Sequence, residues 1–227
     1  MKLLAADYDG TFKSNLKNLR ININKVNEFM EQGNKFVIIT GRSFKQIEPE
    51  IKKYNIKYNY LICNNGLIIF DNDNKIINYN LLPQNDLEFI YSSLLRWYRI
   101  KNVEAYSYLT TTLELKEVLE IHGTFYNEFH ASVYKKNLEY VRNYLHCYQD
   151  KNNLFISLNL NKSDSIKFIQ EKENLDKEQI FTVGDGLNDI EMLLEFNGYK
   201  MLKCDKKLLF KKIPTTYQVH KLIDKIK

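Results

Sequence analysis

At 227 residues the chain exceeds the usual single domain of about 100 to 150 residues, so we expect a main domain with a smaller second one. A hydrophobic fraction of 44% and a charged fraction of 27% exclude collagen-like and disordered chains, and three widely separated cysteines exclude a disulfide framework or a cysteine zinc site. The net charge of +5 is local, because residues 200–227 hold nine lysines against two aspartates, a balance of +7. Four of these lysines, at positions 203, 206, 207 and 211, have the spacing of a solvated helix face, which does not favour a nucleic-acid partner.

The first part of the chain predicts alternating strands and helices. Short apolar runs that end in polar residues or glycine predict buried strands over residues 2–7, 35–40 and 60–70. Apolar side chains at helical spacing predict one helix that ends near Gly33 and a second over residues 43–54. Strands that alternate with helices indicate a parallel sheet.

From the opening residues we expect neither a secretion signal nor a membrane span. Asp7 interrupts the opening apolar run too early for a signal peptide, and no run approaches the roughly 18 apolar residues that span a membrane. We therefore expect a cytoplasmic protein with reduced cysteines and no membrane partner.

The middle of the chain has a different pattern, in which helices lie beside an open sheet rather than alternating with strands. The predicted elements are a helix over 86–98, a strand over 102–108, an alternating strand over 125–134, a helix over 137–148 and a strand over 154–160, with no clear prediction between 110 and 121. We infer an inserted α+β domain over residues 81–160, while residues 1–80 and 161–227 form the main α/β domain.

Alternation along residues 125–134 predicts two different faces for that strand. Phe125 and Phe129 fall on the apolar face, whereas Tyr126 and His130 fall on the polar, aromatic face. We expect the second face to cover a bound substrate through His130, although a solvated outer face would show the same pattern.

The βα pattern returns in the last part of the chain. Asp164 is a candidate cap for a helix that runs to residue 175. The remaining elements are predicted as a strand over 179–183, a helix over 187–196 and a strand over 199–204. Both ends of the chain therefore belong to one parallel sheet.

Two of the predicted parallel strands end in polar motifs. Asp7 and Asp9 stand two residues apart in DYDGT, and two ionised neighbours require a cation between them or a proton on one of them. Mg²⁺ fits, because it is a hard ion that takes carboxylate and phosphate oxygens. Thr40, Gly41 and Arg42 close the second strand and open a helix, which offers a hydroxyl and backbone N–H groups to an anion.

Two further signals follow the middle segment. Lys162 stands at the return to the main domain, where a cation could neutralise a phosphoryl group and nearby carboxylates. GDGLND places Asp185, Asn188 and Asp189 on a glycine-flexible turn directly after a strand. The carboxyl ends of parallel strands line one crevice, so the four signals are expected to converge.

In these motifs the chain resembles the haloacid dehalogenase superfamily of phosphohydrolases. DYDGT resembles the first motif of that superfamily, Thr40 the second, Lys162 the third and GDGLND the fourth. The insert after the third strand resembles the type IIB cap of the Cof-like phosphatases. The resemblance implies a Rossmann-like parallel sheet with helices on both faces, plus an inserted α+β cap domain.

The resemblance also implies a role for each motif residue. Asp7 would attack phosphorus, while Asp9 would protonate the leaving oxygen and later activate water. Mg²⁺ would be held by Asp7, Asp185 and the backbone carbonyl of Asp9.

The remaining expected roles are substrate binding by Thr40, Gly41, Lys162 and Asn188, and orientation of Lys162 or a metal-bound water by Asp189. Arg42 would either reach the substrate or cover the start of its helix.

Three alternatives to a phosphatase of small phosphorylated metabolites remain open at this stage. A phosphomutase of the phosphomannomutase type would use the same core and would return the phosphoryl group to a sugar. A halide-removing enzyme would have no use for the predicted metal cluster. A non-enzymatic phosphate sensor or RNA-binding protein could use the basic C-terminal segment, but would not need Asp7, Asp9, Lys162 and Asp185 together.

Overall fold

The computed structural model describes residues 1–107, 111–112 and 117–226. It divides into two compact units. The larger unit comprises Met1–Asn78 and Asn161–Lys227, and the smaller unit comprises Tyr79–Leu160. Within the described residues, no helix combines the length and the apolar character that crossing a membrane requires.

Strands and helices are numbered here along the chain. The strands are β1 (Leu3–Asp7), β2 (Lys35–Ile39), β3 (Tyr60–Cys63), β4 (Ile68–Asp71), β5 (Ile76–Tyr79), β6 (Ile100–Tyr106), β7 (Thr111–Thr112), β8 (Glu120–Phe125), β9 (Leu145–Asp150), β10 (Asn153–Leu158), β11 (Ile180–Gly184), β12 (Asn197–Met201) and β13 (Thr215–Thr216). The α-helices are α1 (Leu16–Glu31), α2 (Phe44–Tyr54), α3 (Gln84–Leu95), α4 (Glu128–Val141), α5 (Lys162–Glu173), α6 (Ile190–Glu195), α7 (Lys206–Leu209) and α8 (Val219–Ile226). Single 3₁₀ turns lie at Asn64–Gly66, Lys177–Gln179 and Leu187–Asp189.

The larger unit is built on an eight-stranded sheet with the order β13-β12-β11-β1-β2-β3-β4-β5. The strands from β13 to β3 pair in parallel, and β4 pairs antiparallel with β3. All five residues of β1 are buried, as expected for a central strand covered on both sides. Leu3, Ala5 and Val37 pack in one cluster with Ile166 of α5 and Met192 of α6.

Helices α1 and α8 pack against each other, and α1 also contacts β2. The chain thus forms a parallel sheet flanked by helices, and the predicted Rossmann-like α/β fold is confirmed. The carboxyl ends of β1, β2 and β11 lie side by side in this sheet, because β1 pairs with both of the other strands.

The smaller unit carries a five-stranded sheet with the order β7-β6-β8-β10-β9, whose described pairings are all antiparallel. Helices α3 and α4 cover one face of it. The apolar core that they share with the sheet includes Leu87, Ile90, Leu94, Ile121, Ala131, Tyr134, Leu138, Leu154 and Ile156. Strand β6 is shifted from the predicted range 102–108, of which Tyr108 lies outside the described residues.

One predicted strand of the larger unit proves to be two. Residues 60–70 form the hairpin of β3 and β4, and the turn between them contains Asn64 and Asn65 with φ of 50° and 54°. The asparagine side chain tolerates this left-handed backbone better than most, so the Asn-Asn-Gly sequence allows the reversal.

The strand predicted over residues 125–134 is wrong. Strand β8 ends at Phe125, and the side chain of Asn127 accepts a hydrogen bond from the backbone N–H of His130 at 3.0 Å, which caps α4. His130 is therefore in the first turn of a helix, and the substrate-covering strand face proposed around it does not exist. The helix predicted over 137–148 is displaced as well, because the helix starts earlier than predicted. Helix α4 ends at Val141, and β9 begins at Leu145.

Two ends of elements in the last part of the chain also differ from prediction. Helix α5 is capped by Asn161 rather than Asp164, and the carboxylate of Asp164 accepts a hydrogen bond from the backbone N–H of Asn161 at 3.1 Å. Lys162 is thus the first residue of the helix rather than a loop residue ahead of it. Strand β12 begins two residues before the predicted range 199–204 and ends at Met201.

Candidate active site

The four sequence signals meet at the carboxyl ends of β1, β2 and β11 and at the start of α5. Asp7 is the last residue of β1, Thr40 follows β2, and Asp185 follows β11. They line a cavity of about 290 Å³ whose other lining residues are Asp9, Gly41, Arg42, Gly186, Asn188 and Asp189. All of these residues belong to the larger unit.

Lys162 joins two buried carboxylates. Its Nζ atom lies 2.5 Å from Oδ1 of Asp7 and 2.6 Å from Oδ1 of Asp189, and its side chain is only 1% exposed. Burial raises the pKa of Asp7 against the opposing attraction of Lys162. Burial acts to lower the pKa of Lys162, but the charges of Asp7 and Asp189 outweigh it and raise that pKa. The lysine therefore keeps its charge inside the protein.

Asp189 is fully buried and uses both carboxylate oxygens. Oδ1 accepts from Lys162, while Oδ2 accepts from the backbone N–H groups of Asp185 and Gly186 at 2.9 Å and 2.8 Å. A Cβ atom at Gly184 would come within 2.4 Å of Oδ2 of Asp189, so only glycine leaves room for this carboxylate. Asp189 thus fixes both the lysine and the turn that presents Asp185.

Asp185 is held from the first motif. Thr11 donates its hydroxyl proton to Oδ1 of Asp185 at 2.6 Å. Burial raises the pKa of Asp185, and the hydrogen bond from Thr11 partly opposes this shift. Gly10 adopts a φ of +83°, and a Cβ atom there would lie 2.4 Å from Oδ2 of Asp185. Both the backbone conformation and the lack of space beside Asp185 therefore require glycine at this position of DYDGT.

Asp7, Asp185 and Asp189 form an acidic cluster in which one oxygen from each lies within 4.8 Å of the others. Lys162 binds Asp7 and Asp189, which leaves the charge of the three carboxylates only partly compensated, so the cluster favours a further cation. Carboxylate oxygens suit a hard divalent ion such as Mg²⁺. The oxygens of Asp189 already accept N–H hydrogen bonds, whereas Asp7 and Asp185 each keep one oxygen with fewer partners, which makes these two the better ligands.

The lining of the cavity also includes residues that can donate hydrogen bonds. Asn188 donates through Nδ2 to Oδ1 of Asn65 at 3.0 Å. A Cβ atom at Gly41 would lie 3.1 Å from the same Asn65 oxygen, so the Asn-Asn-Gly turn packs against both Asn188 and Gly41. Thr40 accepts through its hydroxyl from the backbone N–H of Arg42 at 3.1 Å. Sequence reasoning gave Asn65 no site role, although the turn signal was visible.

Asp9 and Arg42 form a two-pronged ion pair at the mouth of the cavity. Nε of Arg42 lies 2.7 Å from Oδ2 of Asp9, and Nη2 lies 2.5 Å from Oδ1. Arg42 also donates through Nη1 to Glu50 at 3.2 Å. Asp9 therefore stands apart from the acidic cluster, and its carboxylate is 51% exposed. Nothing in the sequence identified Glu50, which lies within helix α2.

Comparison with known proteins agrees with the motifs. The family model of haloacid dehalogenase-like hydrolases matches residues 4–139 and 100–209 in two overlapping segments. An uncharacterized protein of Mycoplasma capricolum is 29% identical over 238 residues, which cover 87% of this chain and 89% of that protein.

Solved structures agree at the level of the fold. A Thermotoga maritima protein has a TM-score of 0.83 at 17% identity, covering 100% of this chain and 97% of its own. A phosphatase of the same superfamily from Bacteroides thetaiotaomicron has a TM-score of 0.81 at 16% identity, covering 100% and 95%. A sugar phosphatase of subclass IIB has a TM-score of 0.74 at 16% identity, covering 99% and 98%. With a family model that matches most of its length, the chain belongs to the haloacid dehalogenase-like hydrolases, as its motifs predicted.

Proposed function

We propose that this hydrolase is a magnesium-dependent phosphatase of a small phosphorylated metabolite, with Asp7 as its nucleophile. The observation that carries the proposal is the position of Asp7, whose carboxylate lines the cavity while Lys162 holds one of its oxygens. The fold likeness to a sugar phosphatase of subclass IIB supports a phosphorylated sugar or a similar metabolite as the substrate class.

The cavity supplies donors for the phosphoryl group. Thr40, Gly41 and Asn188 line the same cavity as the carboxylates, and they offer a hydroxyl, a backbone N–H and an amide to a phosphoryl group. Lys162 adds positive charge beside Asp7. Fixed donors of this kind stabilise the negative charge that builds on phosphoryl oxygens in the transition state.

Asp7, Asp185 and the backbone carbonyl of Asp9 are the proposed ligands of Mg²⁺. When bound, the ion supplies positive charge that screens the carboxylate from the phosphate dianion. Asp189 positions Lys162 and the turn of Asp185 through its three hydrogen bonds.

Two displacements at phosphorus account for hydrolysis. An oxygen of Asp7 forms a bond to phosphorus as the bond to the leaving oxygen breaks, and Asp9 gives its proton to that oxygen. Asp9 then takes a proton from water, whose oxygen attacks phosphorus, so that inorganic phosphate leaves and the carboxylate of Asp7 is restored.

The division of labour between the two units is part of the proposal. Residues 1–80 and 161–227 would form the catalytic core, because the whole described site lies within them. Residues 81–160 would act as a type IIB cap that selects the leaving group. A covering domain of this kind excludes water while the phosphoryl group is transferred.

We expect Mg²⁺ to support phosphate release and Ca²⁺ to fail. Mg²⁺ requires short, nearly octahedral coordination, whereas Ca²⁺ takes more and longer oxygen contacts and would misplace Asp7. The measurement is released phosphate across a panel of phosphorylated metabolites with Mg²⁺, with Ca²⁺ and with excess chelator. Full activity in chelator, or no release from any metabolite with Mg²⁺, would refute the proposal.

A further inference from the structure

Glu50 lies inside helix α2 and binds three side chains of the site region. Its carboxylate accepts from Nη1 of Arg42 at 3.2 Å and from the hydroxyl of Tyr8 at 2.6 Å. Both of its oxygens also accept from Nζ of Lys13, at 2.7 Å and 2.6 Å. None of these four residues belongs to the acidic cluster of Asp7, Asp185 and Asp189.

The guanidinium of Arg42 is thereby divided between two carboxylates. Nε and Nη2 face Asp9, while Nη1 faces Glu50. The ring of Tyr8 lies 5.4 Å from the guanidinium carbon and supports its plane. The Arg42 guanidinium is thus held by a carboxylate on each of two edges and by an aromatic ring on one face, which removes much of the conformational freedom of the side chain.

The position of the Asp9 carboxylate depends on the Arg42 guanidinium. In the described part of the chain, Arg42 is the one side chain that hydrogen-bonds the Asp9 carboxylate. Asp9 is half exposed, and an exposed ion pair between two mobile side chains contributes little by itself. Glu50 is the second carboxylate that binds the guanidinium, so it also restrains the arginine.

We propose that Glu50 is a positioning residue for the acid step, holding Arg42 where its guanidinium keeps the Asp9 side chain at the mouth of the cavity. For that step one Asp9 oxygen leaves the guanidinium and carries the proton, while the other oxygen stays bound to Arg42. This inference rests on the proposed function, in which Asp9 protonates the leaving oxygen. A small displacement of a catalytic group by a remote change can reduce the rate about 100-fold.

The charge of Glu50 supports this role. Partial burial acts to raise the pKa of Glu50, but the hydrogen bonds from Lys13, Tyr8 and Arg42 outweigh it and lower that pKa to about 2. Glu50 is therefore ionised throughout the range in which phosphatase activity would be measured, and it binds Arg42 as a full charge.

The dependence on the leaving group tests the inference. Poor leaving groups need a proton from Asp9, whereas a nitrophenolate needs little assistance. We expect Glu50→Gln to lower the single-turnover rate of phosphoenzyme formation about 10- to 100-fold with an alkyl phosphate such as a sugar phosphate, and only about 3-fold or less with p-nitrophenyl phosphate. Glu48→Gln is the matched control, because Glu48 lies on the same helix and its salt bridge is to Lys52. It should change neither rate.

A second pair of variants separates positioning from folding. In an Arg42→Ala background, Glu50→Gln should cause no further loss if Glu50 acts through Arg42. Glu50→Asp keeps the charge, but its side chain is too short to reach Arg42. This variant replaces Glu50→Gln in the test if the glutamine variant is poorly folded, and we expect the same dependence on the leaving group from it. Equal losses in the rate of phosphoenzyme formation with both substrates, or a further loss in the Arg42→Ala background, would overturn the inference.

Asp9→Asn distinguishes a failure of this inference from a failure of the proposed function. Both variants are compared in the rate of phosphoenzyme formation, because the later hydrolysis is common to the two substrates and needs Asp9 as its base. If Asp9→Asn slows phosphoenzyme formation selectively with alkyl phosphates and Glu50→Gln does not, the inference alone is wrong. If Asp9→Asn slows this step equally with both substrates, the acid role of Asp9 is wrong and the inference falls with it.

Discussion

Asp7→Asn should abolish phosphate release, with a loss of about 10⁴-fold or more, because a carboxamide cannot serve as the nucleophile. The amide has nearly the shape of the carboxylate, and Lys162 would keep its ion pair with Asp189. We therefore expect the free energy of unfolding to change by about 1 kcal/mol or less. Phosphate release and thermal unfolding measured on the same preparation check both expectations.

Substantial turnover by Asp7→Asn would contradict the covalent mechanism. Loss of activity together with unfolding would leave the nucleophile unidentified by this variant, and the isosteric change makes that outcome unexpected. Asn188→Ala is the matched comparison within the cavity, because its amide lines the site without being a nucleophile. It should retain the covalent step at a reduced rate.

Lys162→Met should be the most destabilising single change in the site. It leaves Asp7 and Asp189 buried and facing each other without their shared cation. Removing one partner from a buried ion pair costs about 3 to 5 kcal/mol, and losing the charge beside the phosphoryl group should reduce activity about 10³-fold. Chemical denaturation and phosphate release are the measurements.

The loss of stability in Lys162→Met is expected to depend on pH in a definite direction. Burial already raises the pKa of Asp7, and removal of Lys162 removes the attraction that opposes the rise. A carboxyl group with a raised pKa in the folded state favours folding at low pH and loses that contribution as pH rises. Burial raises the pKa of Asp7 to about 7 even beside Lys162, so the variant differs from the wild type in bound protons above that pH. The stability deficit of Lys162→Met should therefore shrink as the pH falls from about 9 to about 7. A constant deficit would argue against buried, unpaired carboxylates as its cause.

Lys172→Met is the control for the same helix. Lys172 is exposed near the end of α5, so its loss should alter neither stability nor activity appreciably. If both lysine variants were equally destabilised, the effect would belong to the helix rather than to the buried ion pair.

The parallel sheet and the acidic cluster could be predicted from the sequence because their signals are local. A run such as Leu3–Asp7 is apolar throughout, and β-strands of this kind are buried on both faces. Carboxylates that directly follow such strands must meet, since parallel strands end at the same edge. Asp7 and Asp185 could therefore be assigned to one site without knowledge of the remaining packing.

The element at residues 125–134 could not be assigned from its alternation alone. Phe125, Phe129 and Val133 fit a period of two, yet they also stand four residues apart, as on one face of a helix. The buried positions of α4 are Ala131, Tyr134 and Leu138, which have helical spacing. The deciding signal was Asn127, a good helix cap, which follows the end of β8 by two residues.

Glu50 could not be predicted for a different reason. Its partners Tyr8, Lys13 and Arg42 come from other segments, and they meet it only because α2 packs beside the end of β1. A glutamate inside an amphipathic helix gives no signal of its own, since most such residues face solvent. Contacts made across elements depend on packing that the local sequence does not encode.

The most direct test of the account is the site of covalent phosphorylation. Asp9→Asn, mixed with p-nitrophenyl phosphate and Mg²⁺, should release nitrophenolate and accumulate phosphoenzyme, because the leaving group needs little acid while water lacks its base. Mass spectrometry of the digested protein should place one added phosphoryl group on Asp7, and the Asp7→Asn/Asp9→Asn double variant should carry none. Release of nitrophenolate without modified Asp7, or a phosphoryl group on another residue, would contradict Asp7 as the nucleophile.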